Sequence, residues 1–409
     1  MLFKKLIFTG FLVLITAAPA WSSCKIDGRV NIVGNEFPAI HAVVKGAKAC
    51  EGAEVKDNLT ADHQKINVPG MTTSPAQYTS AVIANSSIIS LLNEDVIRPL
   101  DKLVQKHGRL LNESQLIKIN GKIMAVAFMA NAQHLVYRSD ILESAGITPP
   151  QTYEEMLAAA KKIKEAGLMQ YPLGGSFKAG WNLAQEFTNM YIGYGGQFFK
   201  PGTAEVAINN SGGIAALEML KSLSGYMNPD FLTHDANIAT AEWKAGNTAM
   251  MNMWGSRMDP LKDPKQSSEN IYSSTTIGAP MTVGGGSIPA TTLWWDGWTV
   301  AKNISDAEAE ATFIAMMNGI SPNRLDAQMA PLAVWLIDGY KPTEAAAGVF
   351  AAANMGSAPY PMLPYQSLLH SALGTEIVDF MKGKETAAAA LADVEAAYSA
   401  AAREKGFLE

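Results

Sequence analysis

Cysteine is almost missing from this chain, with two in 409 residues. A scaffold stapled by many disulfides is thereby excluded, and a packed core has to hold the fold instead. Charge is sparse too: charged residues make up 17 %, and 32 basic residues face 38 acidic ones, for a net charge of −6. A nucleic-acid partner would need a basic face, which this balance does not supply. The six histidines (His41, His63, His107, His134, His234, His370) are scattered, and none pairs with another at metal-ligand spacing along a helix. Neither a metal nor any other cofactor is expected. His-Glu-x-x-His, Gly-x-Ser-x-Gly, a P-loop and a Gly-x-Gly-x-x-Gly after a strand are all missing. Past residue 17 no stretch is long and apolar enough to span a membrane. These gaps agree with a binder that does no chemistry, although the carboxylates are numerous enough to leave a glycosidase pair open.

What is present is a large apolar inventory: 48 % hydrophobic residues, eight Trp and twenty Met. The length exceeds one comfortable core, so two lobes are expected. Lys4 and Lys5 precede an apolar run over 6–17 and the small-x-small triplet Ala18-Pro19-Ala20. That pattern predicts a secretory signal over 1–22 and an exported protein. Cys24 and Cys50 would then meet in an oxidising compartment, where one pair suggests a disulfide. Two alternatives remain at this point: a lipid anchor on Cys24, for which Trp21-Ser22-Ser23 is a poor leader, and two free thiols.

Along the chain, short apolar runs alternate with helical patterns. Strands are expected at 29–34, 53–58 and 78–84, with helices over 39–48, 88–93 and from Arg98 to near His107. The fold class is α/β, a mostly parallel arrangement with helices on both faces. The segment 120–155 is the most telling. It runs strand (123–128), connection, strand (135–137), a short helix stopped by Gly146 and Pro149-Pro150, then a helix opened by the capping box Thr152-x-x-Glu155.

With these residues (NGKIMAVAF, then LVYRSDILESAGITPPQTYEEM) the segment resembles the carbohydrate-binding receptors of bacterial ABC importers, the extracellular solute-binding proteins of family 1. Ala127, Arg138 and Tyr153 stand where that family usually has proline, asparagine and tryptophan. Gly225-Tyr-Met-Asn-Pro-Asp230, followed by 243–250, is similar to a second family motif, with Asn247 in place of the usual lysine. The resemblance implies a two-lobed periplasmic-binding-protein fold with a multi-strand hinge. It divides the chain into a first lobe of 23–131 plus about 293–340 and a second of 132–292 plus about 341–409. It also implies a monomer that binds a carbohydrate or polyol and docks on a membrane permease.

A sugar offers C–H patches on its faces and hydroxyls around its edge, so a receptor needs aromatic rings with convergent carboxylates and amides. In α/β sheets such groups sit just after the carboxyl ends of strands. That rule selects Asn35 and Glu36 after the first strand, and Asn85 and Ser86 after the third; each could instead cap the helix that follows. Phe37 reads as core. Asn131 and Gln133 lie at the presumed crossing between lobes, as ligand contacts or as hinge backbone. Trp181 is expected in a Gly-rich loop over 174–182. Trp254 ends a buried strand, and Arg257 follows it, suited to an acidic ligand or to an ion pair. In Leu293-Trp294-Trp295-Asp296-Gly297-Trp298, Trp295 and Asp296 are the candidates; Trp294 and Trp298 share the opposite face unless a bulge intervenes. Tyr360 and, more weakly, Tyr365 complete the set. The rival readings are a receptor for an anionic sugar derivative or a non-sugar solute, and an exported carbohydrate-active enzyme.

Overall fold

The computed structural model describes residues 24–409; the expected secretory signal lies outside the described residues. The strands are β1 Val30–Gly34, β2 Val55–Leu59, β3 Ser80–Ala84, β4 Leu116–Ile119, β5 Lys122–Asn131, β6 Gln133–Arg138, β7 Leu173–Gly175, β8 Met250–Trp254, β9 Thr275–Ile277, β10 Trp294–Trp298 and β11 Val334–Trp335. They form two sheets. One is seven-stranded, in the order β11-β5-β10-β3-β1-β2 with β4 also on β5; the other is four-stranded, in the order β7-β8-β6-β9. Parallel pairing joins β1 to β2, β1 to β3 and β7 to β8. The other six pairs are antiparallel, β4 and β5 as a hairpin, so parallel pairing is the minority here and not the rule expected from the sequence. Both sheets are therefore mixed.

Each sheet carries its own core. The first buries Val30, Ile32 and Val33 of β1 against the helices Pro38–Lys48 and Asp306–Gly319. The second packs β7 and β8 beneath the helices Trp181–Gly193, Ser211–Ser224 and Gln366–Met381. The chain passes from the first sheet to the second at Ala132, the one residue between β5 and β6, and it is fully buried. It returns between β9 and β10, and leaves again after β11. The second and third passages run side by side: Leu293 N–H donates to Ala358 O (2.8 Å) and Tyr360 N–H to Leu293 O (3.0 Å). At the rim the lobes also touch, where Asn93 Nδ2 donates to Pro364 O at 3.0 Å.

Cys24 and Cys50 form a disulfide with Cα atoms 4.6 Å apart. Cys24 thus has no thiol left for acylation, which sets the lipid anchor and free-thiol alternatives aside. The capping box at Thr152 and Glu155 is present, each side chain accepting a backbone N–H from the other's position. Trp181 departs from expectation: it is the first residue of a helix rather than part of a loop. Gly180 makes the entry possible. Its φ of +98° suits glycine, and the Gly374 backbone lies so close that Gly180 N–H donates to Gly374 O at 3.0 Å.

Candidate functional site

The strand ends and the passages converge between the two sheets. Trp181 opens its helix, Trp254 ends β8, Trp294 begins β10, and Tyr360 sits on the third passage. Their rings meet. Trp294 lies 5.5 Å from both Trp181 and Trp254 in edge-on geometry and 4.3 Å from Tyr360, and Trp181 is 6.3 Å from Trp254. Edge-to-face contact is a favoured arrangement for aromatic quadrupoles, so the rings brace one another as one cluster, with Trp254, Trp294 and Tyr360 buried and Trp181 half-buried at its edge. His370 locks the corner. Its ring lies 5.0 Å from Trp181, its Nε2 reaches Trp181 O (2.9 Å) and its Nδ1 reaches the Tyr360 hydroxyl (2.8 Å). A carbonyl can only accept, so Nε2 carries the proton and Nδ1 accepts from Tyr360. Burial pushes this histidine down to about 4, so it stays neutral.

Two charged groups border this surface without a hydrogen bond to any described residue. Asp296 is hemmed in by protein while retaining some solvent contact; burial alone pushes its carboxyl up to about 7, with no basic neighbour to offset it. Arg257, just past β8, reaches across to the first lobe, its guanidinium 6.0 Å over the Phe37 ring. Burial lowers its pKa, and the nearby charges of Asp235 and Glu36 partly restore it. Phe37 is thus core on one face and a cross-lobe contact on the other. Glu36 is exposed, and Asn35 accepts its backbone N–H at 2.8 Å.

Asn85 is buried. Its Nδ2 donates to Leu293 O at 3.2 Å, while its Oδ1 and the Ser86 hydroxyl have no partner. Asn131 is committed elsewhere: its Oδ1 accepts the N–H groups of Ala132 and Ser256, and its Nδ2 donates to the Ser256 hydroxyl at 3.1 Å. It pins the turn after β8 to the first passage with its oxygen accepting twice, which leaves one Nδ2 hydrogen uncommitted. Trp295 is half-buried against the first-lobe core, away from the other rings. β10 itself is regular: it pairs without a break with β3, and the step in its pairing with β5 leaves Phe128 of β5 as the extra residue. Alternation therefore turns Trp295 away from Trp294 and Trp298; Trp294, at the start of β10 next to the passage residue Asn131, joins the inter-lobe cluster, and Trp298 lies in the first core against Phe313, at 5.0 Å. Trp294 and His370 are the residues that sequence reasoning missed. Alternation separated Trp294 from Trp295 without saying which of them faces the other lobe, and nothing local pointed to His370.

Two α/β lobes joined by three passages, with an aromatic cluster and unpaired charged side chains where they meet, have the architecture of a solute receptor. The chain belongs to the bacterial extracellular solute-binding protein family, whose model matches residues 57–319; the family is one of binding proteins and not of enzymes. A probable ABC transporter-binding protein of Deinococcus radiodurans is 27 % identical over 290 residues, covering 65 % of this chain and 67 % of that one. A probable sugar-binding periplasmic protein of Rhizobium meliloti is 26 % identical over 179 residues, covering 41 % and 42 %. The chain thus spans about two thirds of the first relative's length and under half of the second's. The fold matches a crystal structure of an ABC transporter solute-binding protein from Agrobacterium vitis with bound D-mannitol. The TM-score is 0.78 at 19 % identity, covering 93 % of this chain and 99 % of that one. No described helix is long and apolar enough to cross a membrane.

Proposed function

We propose that the protein is a periplasmic receptor that takes a carbohydrate or polyol between its lobes and delivers it to the permease of an ABC importer. The observation that carries this reading is the aromatic surface of Trp181, Trp254, Trp294 and Tyr360 beside the unpartnered carboxyl of Asp296. Rings cover the C–H face of a sugar, and a carboxylate accepts its hydroxyls. The names of the Rhizobium relative and the mannitol-bound structure support the same ligand class. Closure would follow from ligand contacts to both lobes, with the passage at Ala132 as one hinge point. The lobe division at 131, about 293 and about 340, export by the N-terminal signal, and action as a monomer belong to the same proposal.

Thermal unfolding against neutral sugars, polyols and sugar acids tests it. A ligand at a hundred times its dissociation constant stabilises by about 2.7 kcal/mol. A shift confined to related sugars or polyols, with no product formed, supports the reading; shifts confined to nitrogenous compounds overturn it. Arg257, half-buried without a hydrogen-bond acceptor, favours a second reading, an anionic sugar derivative, which the sugar acids in the same panel would reveal.

A further inference from the structure

Behind the aromatic surface the second lobe buries a line of polar side chains that no ligand could touch. Trp294 Nε1 donates to the Thr292 hydroxyl (2.8 Å), which donates to Asn189 Oδ1 (2.9 Å). Asn189 Nδ2 donates to Gln133 Oε1, and Gln133 Nε2 donates to Glu186 Oε1 at 2.6 Å. Every donor in this line points the same way, from the Trp294 indole to the Glu186 carboxyl. Gln185 braces the middle, its Nε2 donating to Asn189 Oδ1 (2.9 Å) and Thr292 Oγ1 (3.0 Å). Gln133, Gln185, Glu186, Asn189 and Thr292 are each at most 4 % exposed. The line also joins two passages between the lobes. Gln133 is the first residue after one, Thr291 and Thr292 are among the last before another, and the Thr291 hydroxyl donates to Gln133 O at 2.8 Å.

We propose that Glu186 is a positioning residue for ligand binding, acting through Gln133, Asn189 and Thr292 to hold the Trp294 ring at its place in the aromatic surface. This rests on the receptor reading above only for its consequence on affinity; the effect on Trp294 is independent of it. The members of a polar line buried this deeply reinforce one another, so losing one link weakens the rest; Gln185 Oε1 and Asn252 Nδ2 beside it already lack partners. Burial holds Glu186 neutral, pushing its carboxyl up to about 8 against the opposing pull of the Gln133 and Asn252 amides. The groups facing it are Gln133 from β6, Asn252 from β8 and the Tyr153 phenol from the helix Tyr153–Glu165; no basic side chain among the described residues opposes its charge. Tyr153 is itself raised well above its ordinary range by burial and by Glu186, so it stays protonated while Glu186 titrates. Ionisation would leave an uncompensated buried carboxylate, and the line would have to open to admit water.

The near-ultraviolet circular dichroism of the ligand-free protein, recorded from pH 6 to 9, tests the relay. The wild type should lose tryptophan signal with a midpoint near pH 8. Glu186→Gln, which mimics the neutral acid, should keep the low-pH spectrum throughout, and Trp294→Phe should abolish the transition. A flat wild-type profile, or a transition unchanged in Glu186→Gln, overturns the proposal. Titration with D-mannitol then reads the consequence: affinity should be the same in the two proteins at pH 6 and about tenfold lower in the wild type than in Glu186→Gln at pH 9. If D-mannitol binds neither protein while the dichroism behaves as stated, the choice of ligand fails and the relay stands. If it binds both with the same pH dependence, the link to affinity is refuted.

Discussion

The side chain of Asp296 concentrates the opposing demands of this site. Its carboxyl lies among protein atoms without a donor, so burial favours the protonated form, yet a ligand hydroxyl is best met by the ionised one. Affinity for a hydroxylated ligand should therefore rise with pH through about 7, and Asp296→Asn should remove that dependence. The lost charge-assisted hydrogen bond, about 1.5–3 kcal/mol, would weaken binding by roughly 10- to 100-fold. Calorimetric titration at pH 6 and pH 8 checks both points, and an unchanged affinity at pH 8 would place the ligand elsewhere. The neighbouring rings show what the sequence could convey. Residue types alone marked 293–298 as the densest aromatic cluster, but which ring faces the other lobe depends on how β10 is seated between β3 and β5, and composition does not encode that. Trp294→Phe should accordingly cost about tenfold in affinity and Trp295→Phe less than about threefold, by comparison of dissociation constants. Asn131 teaches the converse. Its position at the passage was legible; its commitment to Ser256 arises from a residue 125 positions away.

At the scale of elements, helix starts that depend on local chemistry were legible. The Thr152 and Glu155 capping box opens the helix Tyr153–Glu165 as its spacing led one to expect; the equivalent Ser305 and Glu308 box, which opens Asp306–Gly319, was not singled out. The helix Trp181–Gly193 has no side-chain cap and begins at a glycine in the left-handed region, so it read as loop. Its start is held from outside, by the helix Gln366–Met381. A Cβ on Gly374 would lie 2.5 Å from Gly180 O and 2.6 Å from its carbonyl carbon, backbone atoms with nowhere to retreat. Gly374→Ala should therefore push Trp181 out of the aromatic surface. We expect a loss of about 1–3 kcal/mol in stability, read by denaturant unfolding, together with weaker ligand binding. Full binding in a destabilised variant would show that the helix start and the ring are not coupled.

Across the whole molecule, buried titratable groups set how stability follows pH. His63, His134 and His370 are each pushed down to about 4 by burial, so folding excludes protons that the unfolded chain takes up below about 6.5. Their contribution grows as pH rises from about 4 to 6.5. Asp296 and Glu186 are raised to about 7 and about 8, so their contribution falls as pH rises from the ordinary carboxylate range to those values. Three groups against two give a rise up to about pH 6.5 and a decline to about pH 8. Melting temperatures across pH 4.5–9 should peak near 6.5; a steady climb to pH 8.5 would contradict this assignment. The disulfide adds a term of its own. Closing a 26-residue separation stabilises by about 3 kcal/mol, so reduction should lower the melting temperature at any pH.

The place of β10 in the seven-stranded sheet also dictates an order of assembly. It sits between β3 and β5, and just beyond it the Thr299 hydroxyl donates to Ala81 O, 218 residues earlier in the chain. Until that strand arrives, the sheet exists as two separate pieces, β1-β2-β3 and β4-β5, each with an open apolar edge toward the other. Contacts so distant in sequence close slowly, and unpaired edges invite pairing with the wrong chain. A nascent or newly exported molecule therefore spends its most aggregation-prone interval with the second lobe's strands β6 to β9 already available and the first sheet still divided. The strand that presents Trp294 and Asp296 to the cleft is thus also the keystone whose late insertion decides whether the first lobe forms at all.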